Sequence, residues 1–200
     1  MPIETPHRRS DFPGIHRQEG PFAFRLLRIP EDIPMLHDWF TRDYARFWLM
    51  QDKGEDEIRQ IYQDLMSSGQ ATAYIGLYVG QPAFLIECYD PRYDRVAQHY
   101  PVKPGDLGMH LFMGPAKERI AGFTLAAFKA LMRFMFVHLD AQRIVVEPDV
   151  DNHKIHALNQ AVGFTCHRTV VFAEKLAGLA FCTRSDFENA TQTLLEEALS

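Results

Sequence analysis

In Gly108-Met-His-Leu-Phe-Met113 a single histidine, His110, stands among apolar neighbours of a strand-like run, and Arg119-Ile-Ala-Gly-Phe-Thr124 follows at the head of a long helical stretch. An imidazole exchanges a proton near neutral pH and suits a reaction in which an attacking group must lose a proton or be oriented. A glycine just ahead of a helix lets free backbone N–H groups approach a diphosphate, whose charge the helix start favours. Further along, Arg143-Ile-Val-Val-Glu147 ends on a carboxylate before Pro148, with Asp149 beyond it. Either Glu147 or Asp149 can hold an imidazole in one tautomer. Packing alternatives stand beside these readings: a hydrogen-bonded core histidine, a strand-end carboxylate and a plain helix start.

Other groups invite the same comparison. His37, Trp39 and Trp48 can line a pocket or simply fill a core. Glu87, Asp90 and Asp94 lie at or after a strand end, where they can attract a cationic amine or act as ordinary loop carboxylates. Lys154 and Lys175 can meet a phosphate or a substrate carboxylate, although isolated lysines are generally solvated; Arg46, Arg92 and Arg95 are further cations for a carboxylate. His153 and His156 share one helix at a spacing compatible with a metal, but no third and fourth ligand accompany them, so they read as solvent-facing and no metal is expected. Cys88, Cys166 and Cys182 are widely spaced in apolar or strand-like contexts, which predicts buried reduced thiols rather than a disulfide framework. None has an evident histidine and acid beside it, so a cysteine nucleophile is not expected.

These residues need a frame. The 200 residues are 46% hydrophobic and 24% charged, enough for a sizeable core in one domain. A net charge of -5 with scattered basic residues excludes an electrostatic footprint for nucleic acid. Met1 to Gly20 lacks an apolar leader segment, and no long uncharged apolar run follows, which predicts a cytoplasmic protein with no membrane span. Residues 1–21, rich in Pro and Gly, read as an irregular arm; residues 22–200 form the domain.

Within it, Phe22–Ile29 reads as a strand, and Pro30–Trp48 as helical pieces with Pro30 early in the first. Glu55–Ser68 is an amphipathic helix. Thr72–Val79 and Pro82–Tyr89 are strands joined by a tight turn at Gly80-Gln81. The strand Met109–Met113, a long central helix Arg119–Leu139 and the strand Arg143–Glu147 follow. Asp151 or Asn152 caps a helix ended by Gly163. Strands Phe164–Phe172 and Leu176–Thr183 and a tail helix Asp186–Leu199 complete an α/β order, which predicts a mixed sheet with helices on both faces.

Element order and Arg119-x-x-Gly122-x-Thr124 together resemble the Gcn5-related N-acetyltransferase (GNAT) superfamily, whose pyrophosphate loop has Thr124 here in place of its second small residue. Leu36-His-Asp-Trp39, Phe47-Trp48, Glu87-x-Tyr89, Gly105-Asp-x-Gly-Met-His110, Glu147-Pro-Asp-Val-Asp-Asn152, Lys154, Leu158-Asn159, Gly163-Phe164 and Lys175 are similar to its siderophore-biosynthesis branch, over about residues 22–187. The resemblance implies a mostly antiparallel sheet and transfer of an acyl group from acetyl- or succinyl-coenzyme A to the nitrogen of an N-hydroxylated lysine or diamine, giving a hydroxamate. It implies His110 as base or orienter with Glu147, or Asp149, as acidic partner. Coenzyme contacts would fall on Leu111, Met113, Arg119, Ala121, Gly122, Phe123, Thr124, Asn152 and Asn159. Acceptor contacts would fall on His37, Trp39, Trp48, Glu87, Tyr89, Asp90 and Lys154. A homodimer is left open. The alternatives are acylation of another amine (an antibiotic, a polyamine or a protein amino terminus) and a non-catalytic acyl-coenzyme A binder.

Overall fold

The computed structural model describes residues 17–116 and 118–199. In chain order it contains β1 (Arg17–Glu19), β2 (Phe22–Leu26), α1 (Ile33–Phe40), a 3-10 segment (Asp43–Trp48), α2 (Glu55–Ser67), β3 (Ala71–Tyr78) and β4 (Gln81–Tyr89). Two short 3-10 turns, Pro91–Tyr93 and Arg95–His99, lead to β5 (Asp106–Met113). Then come α3 (Phe123–Val137), β6 (Arg143–Val146), α4 (His153–Ala161), β7 (Thr165–Val171), β8 (Leu176–Thr183) and α5 (Arg184–Leu199).

One sheet takes the order β1-β2-β3-β4-β5-β6-β8-β7. Its neighbours are antiparallel except β5 and β6. On one face Phe24, Tyr74, Phe84, Ile86 and Met109 pack against α3 through Phe128, Leu131, Phe134 and Met135, with α4 and α5 adding Val162 and Phe187. On the other face Ile75, Leu77, Leu85 and Phe112 are covered by Leu36 and Phe40 of α1 and Ile58 and Tyr62 of α2. The loop after β4 covers the far end of the same face, where Val96 and Tyr100 join Tyr89, Val145 and Phe172. Period-two alternation in the strands and helical spacing in α1 to α3 supply these apolar faces.

Several details depart from the sequence expectation. Arg17–Glu19, inside the segment expected to be irregular, pairs with β2, while residues 1–16 of that arm lie outside the described residues. Pro30 stands outside α1. The β3–β4 turn falls on Val79-Gly80, both at positive φ, one residue earlier than expected. The central helix begins at Phe123 rather than Arg119, because Gly122 takes a left-handed φ of 70° and ends the turn that precedes the helix. Cys166 is exposed, since β7 is the sheet edge; Cys88 and Cys182 are buried. Among the described residues no helix is long and apolar enough to cross a membrane.

The feature that positions the site is a divergence between parallel strands. β5 pairs with β6 only through Asp106↔Arg143, Leu107↔Ile144 and Gly108↔Val145. Beyond Gly108, β5 continues to Met113 bonded to β4 alone. Gly114 N–H donates to Ala83 O at 2.8 Å, which continues the β4–β5 register. By antiparallel alternation the backbone groups of His110 and Phe112 therefore face β4, and those of Met109, Leu111 and Met113 face the gap.

Candidate active site

His110 occupies the first stretch of β5 past the point where β6 leaves it. It is directly opposite Glu87 on β4, and paired residues in an antiparallel ladder project to the same face. Glu87 Oε2 lies 3.1 Å from His110 Nδ1, and Glu147 Oε1, just after β6, lies 3.0 Å from Nε2. The remaining carboxylate oxygens are taken too. The Tyr62 hydroxyl on α2 donates to Glu87 Oε1 at 2.8 Å, and the Tyr89 hydroxyl donates to Glu147 Oε2 at 3.0 Å. Lys175, at the tip of the β7–β8 hairpin, donates to the Glu147 backbone carbonyl at 2.7 Å and sits 3.6 Å from Glu147 Oε1.

This arrangement decides the charge of the ring. Burial works against imidazolium, but hydrogen bonds to Glu147 and Glu87, and their charges, overturn it and lift the His110 pKa from 6.5 to about 10. Burial alone would raise Glu147; contact with His110, then Lys175 and Tyr89, brings it from 4.5 down to about 2. The Tyr89 hydroxyl is pushed well above its ordinary value by burial and by Glu147, and Tyr62 likewise by burial and Glu87. Each ring nitrogen faces a carboxylate oxygen, an arrangement that favours the doubly protonated, charged ring. The side chain remains 37% exposed, although both of its nitrogens are taken by carboxylates.

Around the ring, Trp48 stands edge-on with centroids 6.2 Å apart, and Tyr89 lies 5.0 Å away. Phe112 contacts Trp48 at 5.3 Å, while Tyr44, 48% exposed, stacks on Phe112 at 5.7 Å. These rings make an apolar wall beside the open part of the imidazolium.

The sequence-predicted residues separate accordingly. His110, Glu147, Glu87, Tyr89 and Trp48 come together. Asp149 does not join them: its carboxylate accepts from Asp151 N–H at 2.8 Å, and its carbonyl contacts His156 Nε2 at 2.9 Å. His156 is thus half-buried and bonded rather than solvent-facing; His153 is exposed. His37 faces the start of α2, 4.0 Å from Glu55, and Trp39 is buried on Phe112. Asp90 caps the turn after β4 and pairs with Arg92. Arg95 pairs with Glu174. Lys154 is exposed. Tyr62 and the anchoring role of Lys175 were not foreseen; Tyr62 reads in sequence as one more apolar position of α2. Among the described residues no group of three or more His, Cys, Asp or Glu could hold a metal ion.

The gap between β5 and β6 is bordered by several of the residues expected from the sequence to meet a coenzyme. Leu111 and Met113 turn backbone groups toward it. Arg119 and Ala121 are exposed ahead of α3, Gly122 has open space where a β-carbon would be, and Thr124 is half-buried in the first turn. Phe123 packs its ring on Phe22 and Tyr78, so only its backbone is available. On α4, Asn152 caps the helix by accepting from Ile155 N–H at 3.4 Å. Asn159 is 4% exposed, and neither its Oδ1 nor its Nδ2 has a partner. An unsatisfied buried amide costs about 1–3 kcal/mol, so Asn159 holds two polar atoms ready for a partner.

Residues 28–172 match the family described as the acetyltransferase (GNAT) domain. An N-hydroxyputrescine acetyltransferase from Acinetobacter baumannii is 25% identical over 167 residues, 83% of this chain and 79% of that protein. An N(6)-hydroxylysine O-acetyltransferase from Escherichia coli is 26% identical over 183 residues, 90% of this chain but only 56% of that protein. Among solved structures, the aminoglycoside acetyltransferase AAC(6')-Ib in complex with ribostamycin and coenzyme A superposes with a TM-score of 0.74 at 21% identity, covering 84% of this chain and 96% of the other.

Proposed function

Because the chain belongs to the acetyltransferase (GNAT) domain family, and so is an acyl-CoA-dependent N-acyltransferase, we propose that it acylates the nitrogen of an N-hydroxylated diamine or lysine, giving a hydroxamate for siderophore biosynthesis. The single observation that carries this reading is the position of His110, clamped by Glu147 where β5 parts from β6, with the turned-out backbone of Leu111 and Met113 beside it. The names of the two relatives, which act on N-hydroxylated acceptors, support the acceptor class.

Acyl-coenzyme A, with acetyl or succinyl as the group transferred in the cytoplasm, supplies the thioester carbon. Asn159, the loop from Arg119 to Thr124 and the backbone of β5 are the groups fitted to hold it. The acceptor nitrogen bonds to the thioester carbon as the carbon–sulfur bond breaks, and the proton lost by nitrogen balances the one gained by the thiol. An N–H from β5 facing the gap can polarise the thioester carbonyl. His110 acts as the orienter, its ring fixed beside the reacting centre, and Glu147, Tyr89 and Lys175 keep it in place. Thiol release from acetyl-CoA with N-hydroxyputrescine, N-hydroxycadaverine or N-hydroxylysine, measured against the parent amines, tests the proposal; equal use of the parents contradicts it.

A further inference from the structure

One acid is enough to fix an imidazole tautomer, and Glu147 already does that on Nε2. The second acid on Nδ1 is unexplained by acyl transfer as such. Glu87 is 8% exposed and Tyr62, which steers it, is fully buried, so the pair is built into the packing between α2 and β4. Each ring nitrogen is opposed by a carboxylate oxygen, a pairing that a doubly protonated ring without a free lone pair satisfies on both sides, and each carboxylate has both oxygens engaged. Beside the reacting centre there is no free base of this set.

We propose that Glu87, steered by Tyr62, is a positioning residue that occupies Nδ1 of His110 and so leaves the site without a free base, making the enzyme select nitrogens that arrive uncharged. This rests on the acyl-transfer reading above and deepens it. An alkylamine resembles a lysine side chain, with a pKa of about 10.4, and reaches the site as an ammonium that must first give up a proton. A hydroxylamine nitrogen is far less basic, because the attached oxygen withdraws electrons, and it brings its own lone pair. It forms the N–C bond while the C–S bond breaks, and its proton passes through solvent to the departing thiolate. Discrimination between a hydroxylated amine and its parent then comes from charge state rather than from a pocket for one oxygen atom. The titratable groups that face His110 are Glu87 and Tyr89 from β4, Tyr62 from α2, Glu147 after β6 and Lys175 ahead of β8. Their combined effect, a lifted His110 and a depressed Glu147, is consistent with a ring that stays charged through the neutral range.

The test compares the parent protein with Glu87→Gln and Tyr62→Phe, using acetyl-CoA and either N-hydroxycadaverine or cadaverine from about pH 6 to about pH 10. The parent protein should acylate the hydroxylamine at a rate that shows no imidazole inflection in the neutral range. Glu87→Gln should lower kcat by roughly ten- to a hundredfold with KM little changed, bring an imidazole inflection to lower pH than in the parent, because Glu147 alone then holds the ring, and narrow the preference over cadaverine; Tyr62→Phe should move the same way by less. Variants with the parent's pH profile and preference overturn the proposal. Nitrogen NMR of His110 in the parent protein gives a second reading that does not depend on the variants folding: both ring nitrogens protonated at neutral pH supports it, and an unprotonated Nδ1 overturns it. Equal turnover of cadaverine and N-hydroxycadaverine by the parent protein instead strikes down the hydroxylamine reading itself.

Discussion

Tyr89 lies across Gly108: a β-carbon built on Gly108 would stand 2.2 Å from the Tyr89 ring. The two residues are directly opposite in the β4–β5 ladder, and the missing side chain lets the ring cross the strand and place its hydroxyl 3.0 Å from Glu147. Gly108 is also the last position at which β5 pairs with β6. The glycine thus allows close approach at the spot where the site opens.

Gly108→Ala should therefore harm both stability and chemistry. Overpacking of this kind costs about 1–3 kcal/mol, and the displaced ring can no longer hold Glu147. A denaturant melt and kcat measured side by side check this; Tyr89→Phe, which keeps the ring and loses the hydroxyl, should lower kcat while costing less stability.

Glu147→Gln should lower kcat on the order of a hundredfold and leave coenzyme affinity nearly unchanged. The substitution removes the charge that faces His110 Nε2 and Lys175 but keeps the size of the side chain. Steady-state kinetics with coenzyme and acceptor varied separately distinguish this from a binding defect. Asp149→Asn should have little effect on kcat, since that carboxylate is spent on the turn at Asp151.

The charged pair also predicts a pH signature in stability. His110 is lifted from 6.5 to about 10 on folding, so its contribution is complete below about 6.5 and is lost as pH rises through about 10. Glu147 is lowered from 4.5 to about 2, so its contribution is complete above about 4.5 and is lost as pH falls through about 2. Both are at full strength between about 4.5 and about 6.5. Thermal melts of His110→Asn against the parent protein should show the widest gap in that window, narrowing toward pH 10. The open face of the ring lets water screen the pair, which keeps the gap modest. A gap independent of pH contradicts the ionic arrangement.

Asn159→Ala should weaken coenzyme binding by about tenfold, the equivalent of one hydrogen bond of about 1.4 kcal/mol, with little loss of stability in the coenzyme-free protein. The reason is that Oδ1 and Nδ2 have no partner to lose in this structure. Calorimetric titration with coenzyme A and a melt without it give the two numbers. Gly122→Ala should also weaken binding, and strain of about 1 kcal/mol at its positive φ should show in the same melt.

The sheet and its helices were largely legible because each strand is an apolar run bounded by Gly, Pro or charged turns, and because Gly163 and Asn152 punctuate α4 as caps should. β1 was not, since three residues beside Gly20-Pro21 carry no periodicity. The start of α3 was misplaced because Arg119-Ile-Ala has good helix propensity, and only the left-handed backbone at Gly122 separates it from the helix. At the site, His110 and Glu147 could be named, but sequence left Glu147 and Asp149 open. The partner on Nδ1 was hidden by register: Glu87 and His110 become neighbours only once β4 and β5 pair, and the long connection from Asp90 to Gly105 does not fix that pairing. Tyr62 was hidden for a simpler reason. A tyrosine on an apolar helix face reads as core, and here it is core with its hydroxyl turned to an acid.

The central claim is hydroxamate formation by direct transfer at the His110 clamp, and product analysis of the purified protein tests it most directly. With acetyl-CoA and N-hydroxycadaverine, N-hydroxyputrescine or N-hydroxylysine, mass spectrometry should find a singly acylated product that gives the ferric hydroxamate colour, one thiol released per product and no acylated protein, and His110→Ala should remove nearly all of it. Acylation of the unhydroxylated parents at the same rate, a product acylated on oxygen, a stable acyl-protein or full activity in His110→Ala would contradict the account.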